Sequence, residues 1–204
     1  ESDTLRSYVG QLQQIMWLPD ALFAAGEQGA WYDPSDLSTL FQDSAGTIPV
    51  TADGDPVGLV LDKSGRGHHA IQATPAARPA YRTDGTLHWL EFDGVDDFLV
   101  TGNIDFTATN KVTSVIGLTK QRNASREMIF ELGPTVASPG TFNLDHSQAI
   151  TGAYSGTLTA NTPSGVTATG IAAPSTDVLS VQYDSSKTGV TNEVVISKNG
   201  AVQS

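Results

Sequence analysis

Carboxylates stand close together in two short stretches of this chain. One is Asp62-Lys63-Ser64-Gly65-Arg66-Gly67-His68-His69; the other is Glu91-Phe92-Asp93-Gly94-Val95-Asp96-Asp97. Hard oxygen ligands suit Ca2+, so Asp62, Asp93, Asp96 and Asp97 are candidate calcium ligands. The same residues in glycine-rich turns also cap backbone N–H groups with no ion present. Glu91 and Asp93, at i and i+2, come nearest to the carboxylate pair that glycoside hydrolysis needs. They fall in a turn, where Asp93 bonds back to the main chain, and no E-x-D-x-x-E run is present. His68, His69, His88 and His146 would serve a Ser-His-Asp site, but the sequence has no G-x-S-x-G elbow. Gly65-Arg66-Gly67 lacks the third glycine and the helix of a dinucleotide-binding loop. No residue is therefore assigned to catalysis, and the chain is expected not to be an enzyme.

Aromatic rings that stack on pyranose faces are a second kind of chemistry. Trp31, Tyr32, Tyr81 and Trp89 are the candidate ligand-binding residues. Alternation places Leu87, Trp89 and Glu91 on one strand face and His88, Leu90 and Phe92 on the other. Apolar groups on both faces predict a strand covered on both sides, with core roles for these aromatics.

The elements that must position these residues are mostly strands. Twenty glycines, ten prolines and only 16% charged residues predict short strands joined by turns. Strands are expected at 57–61, 87–92, 98–101, 112–118, 128–132, 141–144, 166–171, 177–183 and 193–198, where β-branched residues cluster. The Thr/Ser/Gly/Ala-rich segment 147–176 reads as two weakly specified strands or as a long loop. Asn199-Gly200 is a hairpin turn signal. Residues 1–16 predict a helix: Leu5, Tyr8, Leu12 and Ile15 are spaced 3, 4, 3 in the manner of a coiled-coil seam. That helix either packs on its own domain or forms the end of an oligomeric stalk.

The net charge of -11 repels phosphate backbones and anionic lipid, which argues against nucleic-acid binding and membrane docking. The absence of cysteine excludes disulfides and thiolate metal sites. No run of 18 apolar residues exists to span a bilayer, and the N-terminal residues lack a signal-peptide pattern.

Three segments carry a family resemblance. They are Trp31 to Asp43 (WYDPSDLSTLFQD); Asp62 to Ala70 (DKSGRGHHA), followed by Arg78-Pro79-Ala80-Tyr81; and Leu90 to Leu99 (LEFDGVDDFL). In this order they resemble the concanavalin A-like (laminin G-like) jelly-roll domains of phage and prophage tail and baseplate proteins. The turn motifs D-x-S-G-x-G-N-H and F-D-G-x-D-D-[FY] recur there; this chain has Arg66 and His68 where the family usually has Asn.

The resemblance implies an all-β, two-sheet antiparallel jelly-roll sandwich over 30–204, preceded by a short helix at 1–18 and a hinge at 19–29. It also implies a closing strand beyond Ser204. The function it implies is that of a non-enzymatic virion component, in tail, baseplate or tail fibre, for structural assembly or host-surface adhesion. Its partners would be other virion proteins, copies of itself in a homotrimer, and a host-surface glycan. The alternative is a secreted bacterial carbohydrate-binding module or a glycoside hydrolase-like enzyme.

Overall fold

The computed structural model describes residues 19–120, 127–133, 141–146, 154–159, 163–168, 174–184, 186 and 194–202. The coiled-coil candidates Leu5, Tyr8, Leu12 and Ile15 lie outside these residues. Among the described residues the regular structure is antiparallel β with three short 3-10 helices and no α-helix. The chain divides into two compact units, Glu1–Asp105 and Phe106–Ser204.

In the first unit, β1 (Leu40–Phe41), β2 (Leu59–Val60) and β3 (Ala70–Ile71) form a sheet in that order. Beside it, β4 (Ala80–Thr83) and β5 (His88–Glu91) form a hairpin. Its four-residue loop closes through Asp84, whose carboxylate accepts the N–H groups of Thr86 and Leu87 at 2.9 and 2.8 Å. Leu40, Val50, Val57, Val60, Ala70 and Tyr81 make the core. The apolar run expected at 57–61 contributes only two strand residues, because Gly58 is where three chain segments meet. A Cβ there would stand 2.8 Å from the Gln42 carbonyl oxygen and 2.9 Å from Arg78 Nε. The strand expected at 98–101 reduces to a single bridge between Val100 and Ile71. The Gln72 side chain takes the Phe98 carbonyl instead of a neighbouring strand, at 3.0 Å.

The second unit holds β6 (Lys111–Lys120), β7 (Glu127–Leu132), β8 (Thr141–His146), β9 (Tyr154–Thr159), β10 (Pro163–Ala168), β11 (Ser175–Asp184), β12 (Val194–Lys198) and β13 (Ala201–Val202). They form two four-stranded sheets, ordered β10-β9-β8-β7 and β13-β12-β11-β6. Leu144 of the first sheet and Leu179, Val181, Val194 and Ile196 of the second belong to one buried cluster. The Ser/Thr/Gly-rich segment resolves into the strand pair β9–β10, in register from Pro163–Thr159 to Ala168–Tyr154. Its second strand starts three residues earlier than expected, with Pro163 at the end of an edge strand, where a missing N–H is tolerated.

Asn199 and Gly200 take φ of 49° and 82°, the left-handed pair that a two-residue hairpin needs. The Asn199 side chain also extends the ladder. Its Oδ1 accepts the Val178 N–H at 2.8 Å, and its Nδ2 donates to the buried Asp177 at 3.0 Å.

Two glycines separate crowding from backbone strain. Gly58→Ala is expected to destabilise the first unit by about 1–3 kcal/mol through overpacking. Gly65 has φ of 79° and open space around its missing Cβ; Gly65→Ala is expected to lose only about 1 kcal/mol. Urea unfolding of both variants checks the order.

Candidate functional site

The loop after β2 is built on one carboxylate. Asp62 is buried at 8% exposure. Its Oδ1 accepts the N–H of Trp31 at 2.9 Å and of Ser64 at 2.8 Å; its Oδ2 accepts the Ser64 hydroxyl at 2.7 Å and the His68 N–H at 3.0 Å. Four donors fill the roughly four acceptor positions of a carboxylate. The Asp62 N–H in turn donates to His69 Nδ1 at 3.0 Å, so that nitrogen carries no proton. Gly65 and Gly67, with φ of 79° and 78°, let the chain turn back so that His68 meets the same carboxylate.

Two of the aromatic candidates belong to this loop. Trp31 donates its N–H to Asp62, and its carbonyl accepts the Lys63 N–H at 2.8 Å. The Lys63 ammonium lies 4.6 Å from the Trp31 ring centroid and pairs with Asp33 at 2.9 Å and Asp36 at 2.8 Å. Tyr32 is half-buried and donates its hydroxyl to the His68 carbonyl. Burial, and then the negative charge of Asp62, push the Tyr32 phenol far up, so it stays a donor at any working pH.

The other two candidates sit on opposite faces of the β4–β5 hairpin. Tyr81 is buried, and its hydroxyl lies 2.5 Å from His88 Nδ1. Trp89 points the other way and is 40% exposed. The expectation that this strand is covered on both sides therefore fails at Trp89: His88 and Leu90 are half-buried, while Trp89 and Glu91 are exposed. The four aromatics form no common site.

The calcium candidates divide as well. Asp93, Asp96 and Asp97 come together, with ligand atoms within 4.8 Å of one another, and Asp62 is not in the group. Asp93 Oδ1 already accepts the N–H of Val95 at 2.7 Å and of Asp96 at 3.3 Å, while Asp97 Oδ2 accepts the Asp93 N–H at 2.9 Å. Glu91 and Asp93 do separate work, because Glu91 pairs with Arg82 at 2.5 Å. Arg82 also reaches Asp53, at 3.3 Å. Sequence reading missed this network: the Asp84-Gly85 signal marks a hairpin, but a two-residue turn there would set Arg82 opposite Leu87, and only the four-residue loop brings it opposite Trp89.

Aspartates recur as turn acceptors, and their pKa values move accordingly. At Asp62 burial raises the pKa, but the bonds from Trp31, Ser64 and His68 outweigh it and hold the carboxyl below the ordinary range. Asp33 follows the same pattern, with Ser35 and Lys63 outweighing burial. Asp36 is lowered first by Lys63, Asp43 by the Thr47 hydroxyl, Asp55 by the Thr51 N–H, Asp84 by the Leu87 N–H and Asp184 by the Ser186 hydroxyl.

A carboxylate with a lower pKa folded than unfolded stabilises fully above its unfolded value, and that contribution is lost as pH falls through the folded value. Stability is therefore expected to hold down to pH of about 5 and to decline below about 4, where unfolded aspartate begins to bind protons. Urea midpoints across that range check the direction. Asp62→Asn places an NH2 among N–H and O–H donors and is expected to lower stability by about 1–3 kcal/mol at neutral pH. With two oxygens of the Asp93 group engaged in their own turn, the melting temperature is expected to be equal with Ca2+ and with a chelator; a rise in Ca2+ that Asp96→Asn removes would assign the group to the ion.

Searches against protein-family models, curated proteins and solved structures found no match to this chain.

Proposed function

We propose that the chain is a non-enzymatic component of a phage virion, in tail, baseplate or tail fibre, acting extracellularly in assembly with neighbouring virion proteins and with copies of itself as a homotrimer. The motif resemblance supports this reading, since both motif turns do structural work. Asp62 and Asp93 each accept several N–H groups, and Gly65, Gly67 and Gly94 take the positive φ their turns need. The buried cluster fed from both sheets of the second unit supports the finer assignment of a two-sheet jelly-roll sandwich.

The observation that carries the assembly role is the outer face of the sheet β13-β12-β11-β6. Four cross-strand pairs run along it: Thr119–Thr176, Gly117–Val178, Val115–Ser180 and Thr113–Gln182. None of these four carries a charge, in a chain whose net charge is -11; the next pair in the same alternation, Lys111–Asp184, is an ion pair. Val115 and Val178 are 63% and 51% exposed. Among the described residues no strand pairs with the free edge of β6. A largely uncharged, partly apolar surface associates with a neighbour at little desolvation cost.

The second reading, a secreted carbohydrate-binding module, draws support from the exposed Trp89.

Light scattering on the whole chain is expected to give the mass of a trimer. Val115→Glu together with Val178→Glu, which places carboxylates on the neutral face, is expected to lower that mass. A monomeric wild-type chain would overturn the trimer. A trimer that resists both substitutions but dissociates without residues 1–18 would move self-association to the N-terminal segment.

A further inference from the structure

We propose that the open edge of β6 is a strand-addition site. It takes an extended segment of another polypeptide, apolar along one face and acidic at both ends, as a further strand of the sheet β13-β12-β11-β6. The inference rests on the assembly reading and names how a neighbouring protein would be held.

The hydrogen bonds of Val178 fix which groups stand open. Its carbonyl accepts the Asn199 N–H at 2.8 Å and its N–H donates to Asn199 Oδ1 at 2.8 Å, so both of its main-chain groups turn toward β12. Along an antiparallel strand these groups point to alternate sides. The ladder between β11 and β6 keeps one register over its whole length, with Val178 opposite Gly117. Val112, Ser114, Ile116 and Leu118 therefore bond β11, while Thr113, Val115, Gly117 and Thr119 turn their N–H and C=O groups to the open edge. Among the described residues no backbone group meets them there.

Sheet edges are ordinarily protected against such pairing. Among the described residues, the other sheet edges of the second unit carry that protection. β13 has only two residues, β7 is bulged between Met128 and Phe130 and carries Glu127 and Glu131, and β10 gives up an N–H at Pro163. β6 has ten residues, with no proline, no bulge and no charge between Lys111 and Lys120. The apolar cluster is also less covered on that side. Leu179, Val181, Val194 and Ile196, inward on β11 and β12, are at most 1% exposed, but Ile116 and Leu118, packed on the same cluster from β6, are only partly buried. A strand added beyond β6 with apolar residues on its inward face would cover them.

Charge chooses the occupant. Two copies of β6 pairing antiparallel about their centres put Lys111 opposite Lys120 at both ends, and like charges directly opposite are destabilising. Such pairing is also two-fold, so it closes a dimer and not a trimer. A strand of another protein with a carboxylate at each end meets both lysines favourably. Within the sheet Lys111 is already matched this way by its register partner Asp184, at 3.4 Å.

Hydrogen–deuterium exchange followed by NMR on the whole chain tests this. In the free protein the amides of Ser114, Ile116 and Leu118 are expected to be protected, and those of Thr113, Val115, Gly117 and Thr119 to exchange about tenfold faster or more. The probe is a ten-residue peptide of alternating threonine and valine with aspartate at each end. It is expected to slow the exposed set by about tenfold or more; the same peptide with lysine at each end is expected to bind about fivefold more weakly. Gly117→Pro puts a ring where an edge N–H stood and is expected to abolish binding while Leu179 and Val181 stay protected. Gly117→Ala, whose Cβ meets nothing within 4 Å, should keep it. The inference is overturned if the edge amides of the free chain are as protected as their neighbours, if the aspartate peptide leaves them unchanged, if the lysine peptide binds as tightly, or if Gly117→Pro still binds. Peptide protection of a chain that is monomeric in light scattering would leave strand addition standing without the trimer. A trimer whose edge amides ignore the peptide would leave the trimer and sink strand addition.

Discussion

The first unit depends on a buried carboxylate whose oxygens are taken up by protein donors. Asp62 ties its own turn, from Ser64 to His68, to the Trp31 backbone, which lies 31 residues earlier in the chain. An ionised group at 8% exposure is tolerable only because donors surround it; without them its burial would cost several kcal/mol. The neighbouring contacts follow from that arrangement. Lys63 can reach Asp33 and Asp36 because its backbone is paired with Trp31. Arg66 can donate to the Phe23 carbonyl, at 2.6 Å, because the loop turns at Gly65 and Gly67. The short strands β1 to β3 supply few ladder bonds, so side-chain acceptors do much of the work that longer sheets do through their backbones.

Capping of turns is the work that several of the acidic residues do. Asp33, Asp36, Asp43, Asp55, Asp84 and Asp184 each accept N–H or hydroxyl groups within a few residues of themselves. Aspartate is the residue whose short side chain bonds its own turn. Clusters such as Asp93, Asp96 and Asp97 arise readily where such turns are tight. The two units use different means of closure: the first relies on capped loops around a small core, the second on two four-stranded sheets with a shared apolar cluster.

Strands with strong β-branched runs were legible in the sequence. Lys111–Lys120, Glu127–Leu132 and Ser175–Asp184 lie where the pattern puts them, extended by at most two residues at either end. The Asn199-Gly200 hairpin was equally plain, because both residues tolerate positive φ. What pattern could not give was the outcome of long-range pairing. The sequence around Trp89 is apolar on both faces, and only pairing with Ala80–Thr83 decides which face turns inward. Gly58 looked like an ordinary strand residue until the Gln42 and Arg78 segments closed around it. The aspartates carried two meanings, ligand and cap, and only the donors around them tell the two apart.

The Asn199-Gly200 turn also bears on how this protein ages. Asn-Gly is the pair in which the following backbone nitrogen most readily attacks the side-chain amide, expelling ammonia and leaving aspartate or isoaspartate. Here that amide is a structural piece, accepting from Val178 and donating to the buried Asp177. Deamidation would turn the donor into a second carboxylate beside the first, with Lys198, 3.5 Å from Asp177, to balance the pair among the described residues. The same two residues that make the β12–β13 turn thus set a chemical clock on that edge, and the hydrogen bonds that hold the Asn199 amide in place are what slow it.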